Sequence, residues 1–445
     1  MQLDFHYYAT YCAAYLAGYS HEESMEICYS AQFVDCCTAT YLGKIGAPLS
    51  AATTQSQGEL MNVKPDRASL QDVTRIWSSF HFLPYDLYAD PGRGSRIYKN
   101  KYRLICNPNG NLVIDTVRLA VDQPLQAVGL AMHVLADTWA HRYFAGTPSL
   151  VINNTNQYFW ELLPSATIER SSVTIETTSS TIETASSTIE RTSSSIKTEG
   201  SSSVEEASSS IPQEDSPSYI ERPIQFRHSL NTPDDLEQSI YVNSVYHSSE
   251  NSIMNLGHGR AGHLPDYSCV SYRYLPAWGD YAEITKENPK DYYAAFCQMV
   301  EAMRYLRGEI DTFDKEEYNC QQVEPWKEEI QRILSIRQSD ASADWKALAE
   351  KLSGREMDTF DQTAYMQEYM DAPEEEKDDT YLGRFILAAM RQKSMVTNRI
   401  FISGNLLAGY SVDYQQGGFQ GVRDFMKLVE YQHKNKGRHS RKNRE

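Results

Sequence analysis

Between Gly129 and Gly146 the chain places His133, Asp137 and His141 at successive intervals of four residues. Four residues of α-helix turn through about 400°, so these three side chains share one face with only a slow drift. Helix signals surround them. Asp122 stands where an N-cap would, Pro124 falls in the first turn, and Gly146 followed by Pro148 supplies a stop. Val128, Met132, Leu135 and Trp139 form one apolar stripe, and Leu130 and Val134 add a second. A helix apolar on most sides belongs in an interior. The rest of the chain must therefore wrap this segment, and His133, Asp137 and His141 must find partners inside a core.

Backbone hydrogen bonds would satisfy a single buried His. Three ligand-type residues on one face point instead to metal. His133 and His141 lie about 12 Å apart along the axis at 1.5 Å per residue, an awkward span for one zinc ion whose Zn–N bonds are close to 2 Å. Asp137, midway, is placed to bridge two ions. The helix reads as the spine of a multinuclear site.

The chain has 445 residues, enough for a large core and more than one structural unit. A net charge of −17 argues against a general nucleic-acid-binding surface. Its eight cysteines form no C-x-x-C pair and no disulfide framework, and the neighbours Cys36 and Cys37 suit free thiols. The opening Met-Gln-Leu-Asp-Phe-His lacks the basic and apolar segments of a signal peptide. No apolar run approaches the roughly 20 residues of a membrane span. The simplest address is the cytoplasm.

Residues 1–45 read as helical. Leu3, Tyr7, Tyr11 and Tyr15 recur at i+4 up to Gly18, and Ser20 with Glu23 forms a capping box for a second helix ending near Asp35. Asp4 and His6 open the first helix. Residues 46–70, rich in Ser, Thr and Gln, read as a loop. His81 lies between Phe80 and Phe82, just before Pro84; alone it would be a core residue, and beside the central helix it becomes a candidate ligand. From Ile168 to Ile196 an isoleucine recurs every seven residues, with Val204 and Ile211 beyond, in a background of Ser, Thr and Glu. A coiled-coil seam needs two apolar positions per heptad, so this stretch reads as a disordered insertion.

Asn255-Leu-Gly-His258-Gly-Arg260-Ala-Gly-His263-Leu-Pro-Asp266 is the second informative stretch. Its glycines bring backbone close to something, and His263 and Asp266 are spaced to chelate one ion, with His258 the weaker candidate. A Gly-rich surface turn is the plainer alternative. Amphipathic helices are expected over 292–307, 325–337, 343–352, 358–370 and 381–407. Glu430 and His433 match E-x-x-H, but carboxylate-bridged di-iron bundles need two copies and only one is present. The organisation is then a helical metal-site core (1–164), a disordered Ser/Thr/Glu insertion (165–220), a continuation of the core with the Gly/His loop (221–287), a C-terminal helical region (288–433) and a basic tail (434–445). The expected fold is an all-α, multi-helix bundle around a buried metal-binding helix.

In order, the candidates are Asp4, His6, Asp35, His81, His133, Asp137, His141, His263 and Asp266. This order resembles the zinc-dependent phospholipase C and single-strand-specific zinc nuclease superfamily, all-helical proteins with three zinc ions in a cleft. More narrowly, Asp4-Phe-His-Tyr-Tyr8 and His133-x3-Asp-Thr-Trp-Ala-His141 look like a bacterial family of unknown function related to it. The likeness covers residues 1–145 and 250–280. It implies that Asp35, His81 and His133 hold one zinc, Asp137 and His6 a second, and His141, His263 and Asp266 a third. In secreted relatives the mature N-terminal amine is itself a ligand after a signal peptide is removed; with no signal visible here, Asp4 is expected to take its place. The relatives also set the last His five residues beyond the Asp rather than four, so His141 either binds differently or supports the site.

Two readings follow. One is a zinc-dependent phosphoester hydrolase, phospholipase C-like or nuclease-like, with metal-activated water as nucleophile. Asp35 or Asp137 would orient the water, and Arg142 and Arg260 would contact phosphate on a phospholipid, a nucleotide or another small phosphorylated molecule. The other is a non-catalytic metal-binding structural or interaction protein. His with carboxylate suits zinc while leaving manganese or iron open. The chain has no H-E-x-x-H, no His-Asp dipeptide, no P-loop and no G-x-S-x-G.

Overall fold

The computed structural model describes residues 1–63, 66–149, 151–164, 219–227, 233–243, 256–279, 282–318 and 321–409. The heptad insertion, the E-x-x-H pair and the basic tail lie outside the described residues. The chain divides into two compact units, one of Met1–Glu161 with Pro223–Glu445 and one of Leu162–Arg222. Everything that follows on the site concerns the first. No helix among the described residues is long and apolar enough to cross a membrane.

A π-helical turn, Asp4–Ala9, runs into α1 (Thr10–Leu16), and α2 (His21–Phe33) and α3 (Ala39–Lys44) follow. Then come α4 (Gln57–Met61), α5 (Arg67–Phe80), α6 (Arg96–Tyr102), α7 (Asn111–Leu119) and α8 (Leu125–Ala140). Beyond the strands lie α9 (Asn288–Leu306), α10 (Lys327–Ser335), α11 (Ser342–Ser353), α12 (Met366–Asp371) and α13 (Tyr381–Ile402). The capping box at Ser20 and Glu23 opens α2 as its sequence demands. The expected loop over 46–70 is partly helical: Ser56 and Glu59 build a second capping box for α4, and Asp66 caps α5.

The all-α expectation is overturned. Strands β1 (Thr155–Pro164), β2 (Tyr219–Pro223), β5 (Ser271–Pro276) and β6 (Ile284–Glu287) form a four-stranded sheet in the order β2-β1-β5-β6. Its β1–β5 and β5–β6 pairs are antiparallel. Strands β3 (Gln225–Arg227) and β4 (Ile240–Val242) pair in parallel. Alternation drives β5: Tyr272 and Tyr274 are buried while Arg273 between them turns outward. The protein is a mixed α/β molecule with a predominantly helical core.

That core is built on α8. The helices α2, α5, α7, α9 and α13 pack against it, and every residue from Val128 to Ala140 is buried. Each large apolar side chain so buried contributes roughly 1.5–3 kcal/mol. The closest approach is to α2, where a Cβ added at Gly129 would lie 2.2 Å from the Ile27 carbonyl oxygen. The helix starts later and stops earlier than its sequence signals suggest. Asp122 adopts a positive φ of 57° outside the helix, Pro124 occupies the N-cap, and His141 is the C-cap. A buried lysine closes this end: Lys286 Nζ, from β6, donates to the carbonyls of Trp139 at 2.7 Å and Ala140 at 3.0 Å and pairs with Asp291 at 2.9 Å. A cation at a helix C-terminus satisfies otherwise unpaired carbonyls.

The C-terminal helices join the same core, with Phe385, Val396 and Trp345 fully buried in it. A second apolar cluster joins the sheet to Phe82, Cys106 and Phe144, next to the loop that carries His258.

Candidate metal centre

Four structural pieces meet around Asp137. The π-turn delivers His6 and, before it, the Met1 amine; the end of α2 leads to Asp35; the C-cap of α5 is His81; α8 carries His133 and Asp137 and ends on His141. The fifth contribution comes from the Gly-rich loop, where His258 precedes one 3₁₀ turn and Asp266 ends the next. A π-turn adds a residue to the helical repeat and often marks a functional position.

Among the described residues, three groups of side chains bring ligand atoms within 4.8 Å of one another: His6, His133 and Asp137; Asp35, His81 and His133; and His141, His258 and Asp266. Asp137 faces both ways. Its Oδ2 lies 3.2 Å from His81 Nδ1 and 3.2 Å from His133 Nε2, and its Oδ1 lies 3.2 Å from His6 Nε2 and 3.0 Å from the Met1 amine. The amine also stands 3.2 Å from His141 Nε2 and 3.4 Å from Asp266 Oδ1, which links the last group to the first.

The ring tautomers follow from the outer contacts. His81 Nε2 donates to the Thr53 carbonyl at 3.1 Å, His133 Nδ1 to Ala31 at 2.8 Å, His141 Nδ1 to His81 at 2.8 Å and His258 Nδ1 to Gly262 at 2.8 Å. A carbonyl only accepts, so in each neutral ring the proton sits on the outward nitrogen and the inward nitrogen presents a lone pair. His133 Nε2 and His81 Nδ1 thus face each other at 3.3 Å with no proton between them. Four imidazoles fixed by carbonyls, with bare nitrogens converging on carboxylates, match the outer-shell pattern of metal-ligating histidines. His6 departs from it: its ring stacks on His133 at 3.8 Å, and its buried Nδ1 has no hydrogen-bond partner among the described residues.

Electrostatics agree. Burial pushes His6 down to about 3 and His258 down to about 4, so both rings are neutral, the form that binds metal. Burial works against the charges of Asp137 and Asp266. Positive charge on the surrounding histidines when they are protonated, together with the Met1 amine, outweighs it and holds both carboxyls well below the usual range. Burial likewise disfavours the charged amine, but Asp137, Asp266 and Asp35 raise it to about 10. Asp35 is the open side of the cluster. Its side chain is 30 % exposed and its Oδ1 lies 3.8 Å from His81 and 3.9 Å from His133.

Of the nine expected ligands, His6, Asp35, His81, His133, Asp137, His141 and Asp266 converge. Two do not. Asp4 turns away and accepts from the backbone amides of Phe5 and Ala341, and the Met1 amine occupies the position assigned to it. His263 is 53 % exposed and pairs with the buried Asp234 at 3.0 Å; His258 takes its place. The Gly-rich stretch contains two histidines, and left-handed turns at Gly257 and Gly262, each with φ of 55°, stand before and between them. Arg142 pairs with Asp291 at 2.9 Å and also reaches the Tyr143 hydroxyl, so it braces the end of α8. Arg260 lies in the 3₁₀ turn after His258, and its carbonyl accepts from Asn243.

The family described as "Family of unknown function (DUF6765)" matches residues 1–400. The chain belongs to this family. No curated protein and no solved structure matches it. The DUF6765 match spans α1 to most of α13 and so includes every residue of the cluster.

Proposed function

We propose that this DUF6765 protein binds two or three divalent ions, zinc foremost, and hydrolyses a phosphoester. One observation carries the reading: four imidazoles, each fixed by a backbone carbonyl, turn unprotonated nitrogens toward shared carboxylates. Asp35, His81 and His133 would hold one ion, His6 and Asp137 a second, and His141, His258 and Asp266 a third, with Asp137 also standing beside the first. Bound divalent ions supply Lewis acidity, lower the pKa of water and neutralise phosphoryl charge. The chain's own part is to fix the donors. Backbone carbonyls orient His81 and His133, Asp137 stands between them and His6, and the partly exposed Asp35 is placed to accept a proton from water entering from solvent. Manganese or iron would fit the same oxygen and nitrogen donors. Free thiols at the seven described cysteines support a cytoplasmic address.

The near-complete burial of Met1, His6, His133 and Asp137 favours the second reading, a structural metal-binding protein. Metal content per chain, measured by inductively coupled plasma mass spectrometry on the purified protein and on Asp137→Ala, tests the site itself. Two or three ions that fall in the variant support it; none, with no uptake on adding zinc, removes it. A phosphoester screen of the loaded protein against phospholipids, nucleotides and single-stranded nucleic acid then separates hydrolase from structural protein. Metal-dependent cleavage that falls in Asp35→Asn by more than its metal content falls supports the hydrolase.

A further inference from the structure

Residues 93–103 contain Arg93, Arg96, Lys99, Lys101 and Arg103 and no acid, in a chain of net charge −17. The segment carries α6, and three of its cations are held locally. Lys99 pairs with Asp90 at 2.9 Å, Lys101 Nζ donates to the Pro148 carbonyl at 2.9 Å, and Arg103 Nε donates to the Ala89 carbonyl at 3.0 Å. Arg93 and Arg96 are exposed, as is Arg67 at the start of α5, and none of the three has an acidic partner among the described residues.

Apolar side chains stand among these cations. Ile97 is 68 % exposed. It lines a cleft of 530 Å³ with Leu70, Leu406 and Leu407, and Arg67 and Arg96 line the same cleft. No carboxylate lines it. A second cleft, of 460 Å³, is lined by Tyr85, Tyr88 and Ile402, each also exposed. The end of α13 and the chain after it link the two: Ile402 lines one and Leu406 the other, and between them Asn405 donates to the Asn100 carbonyl of α6 at 2.7 Å.

We propose that the α6 face docks on anionic phospholipid bilayers. Arg67, Arg93 and Arg96 would meet the headgroups while Ile97 enters the hydrocarbon beneath them. The charge is complementary to such a surface and opposite to that of the whole chain. The close mixing of aliphatic and guanidinium groups matches an interface that is ionic outside and apolar a few ångströms deeper. This inference stands apart from the metal reading, since no residue of the cluster takes part.

Co-sedimentation of the full chain with vesicles tests it. One set is phosphatidylcholine alone and the other contains roughly one third phosphatidylserine. Binding is expected only to the second and should weaken as salt rises. The double variant Arg93→Ala, Arg96→Ala should bind roughly 30-fold more weakly. Ile97→Ser should also weaken binding while leaving the salt dependence in place. All three positions are exposed, so melting temperatures should match the wild type. Equal sedimentation with both vesicle sets, no binding to either, or undiminished binding by both variants would overturn the proposal.

Discussion

Asp137 and its neighbours form a charge arrangement that single substitutions can take apart. His258→Ala should lower metal content by one ion per chain, and His263→Ala should leave it unchanged, because only His258 points its free nitrogen toward Asp266. Equal losses in both variants, measured by plasma mass spectrometry, would contradict that division. A second residue-scale outcome concerns Lys393, which donates to the carbonyls of Ser50 and Ala52. Burial lowers its pKa from 10.5 to about 8. A lysine depressed in the folded state binds fewer protons there than in the unfolded chain between these two values, so stability rises with pH across that window. Lys393→Arg keeps its charge throughout. The wild-type urea midpoint should therefore gain on that of the variant between pH 8 and 10.5; parallel profiles would refute this.

Among the elements, α8 shows how much the sequence could reveal. Its apolar surround required burial on all sides, and its four-residue intervals required one face; the structure has both. Gly129 allows the close packing of α2, and that packing brings the Ala31 carbonyl to His133. Gly129→Ala should cost about 1–3 kcal/mol through overpacking, read as a lower urea midpoint, and should weaken metal retention as α2 shifts. A variant as stable as wild type would show that the two helices can separate freely. Other elements were less legible. β5 is six residues long, and its tyrosine alternation is too short to stand out in a Tyr-rich chain. β3 and β4 have three residues each, and pairs between distant segments leave little periodic trace. Within the site, order along the chain identified residues on helices. It failed at the Gly-rich loop, where backbone dihedrals rather than spacing choose between His258 and His263, and at Asp4, whose carboxylate serves two backbone amides.

At the scale of the molecule, the cluster ties the N-terminal helices, α8 and the Gly-rich loop to one point. Chelation should therefore act on the whole fold. Ligands that bind only the native state stabilise it in proportion to the logarithm of their concentration over Kd. Treatment with a strong chelator is expected to lower the melting temperature by several degrees, a shift of the order given by about 1–3 kcal/mol. The Asp137→Ala protein should show no further drop. Identical chelator shifts in wild type and variant would mean that the chelator acts elsewhere.

His81 is a member of one group and a support for another. Its ring faces Asp137 and His133, while its carbonyl holds the His141 ring that serves the third group. Ordering one end of this residue therefore orders the other. The groups cannot fill as independent sites, because the first occupant leaves its neighbour preorganised. Loading should be cooperative: a titration of the stripped protein would give a sigmoidal curve, and partly filled molecules would be scarce between empty and complete ones.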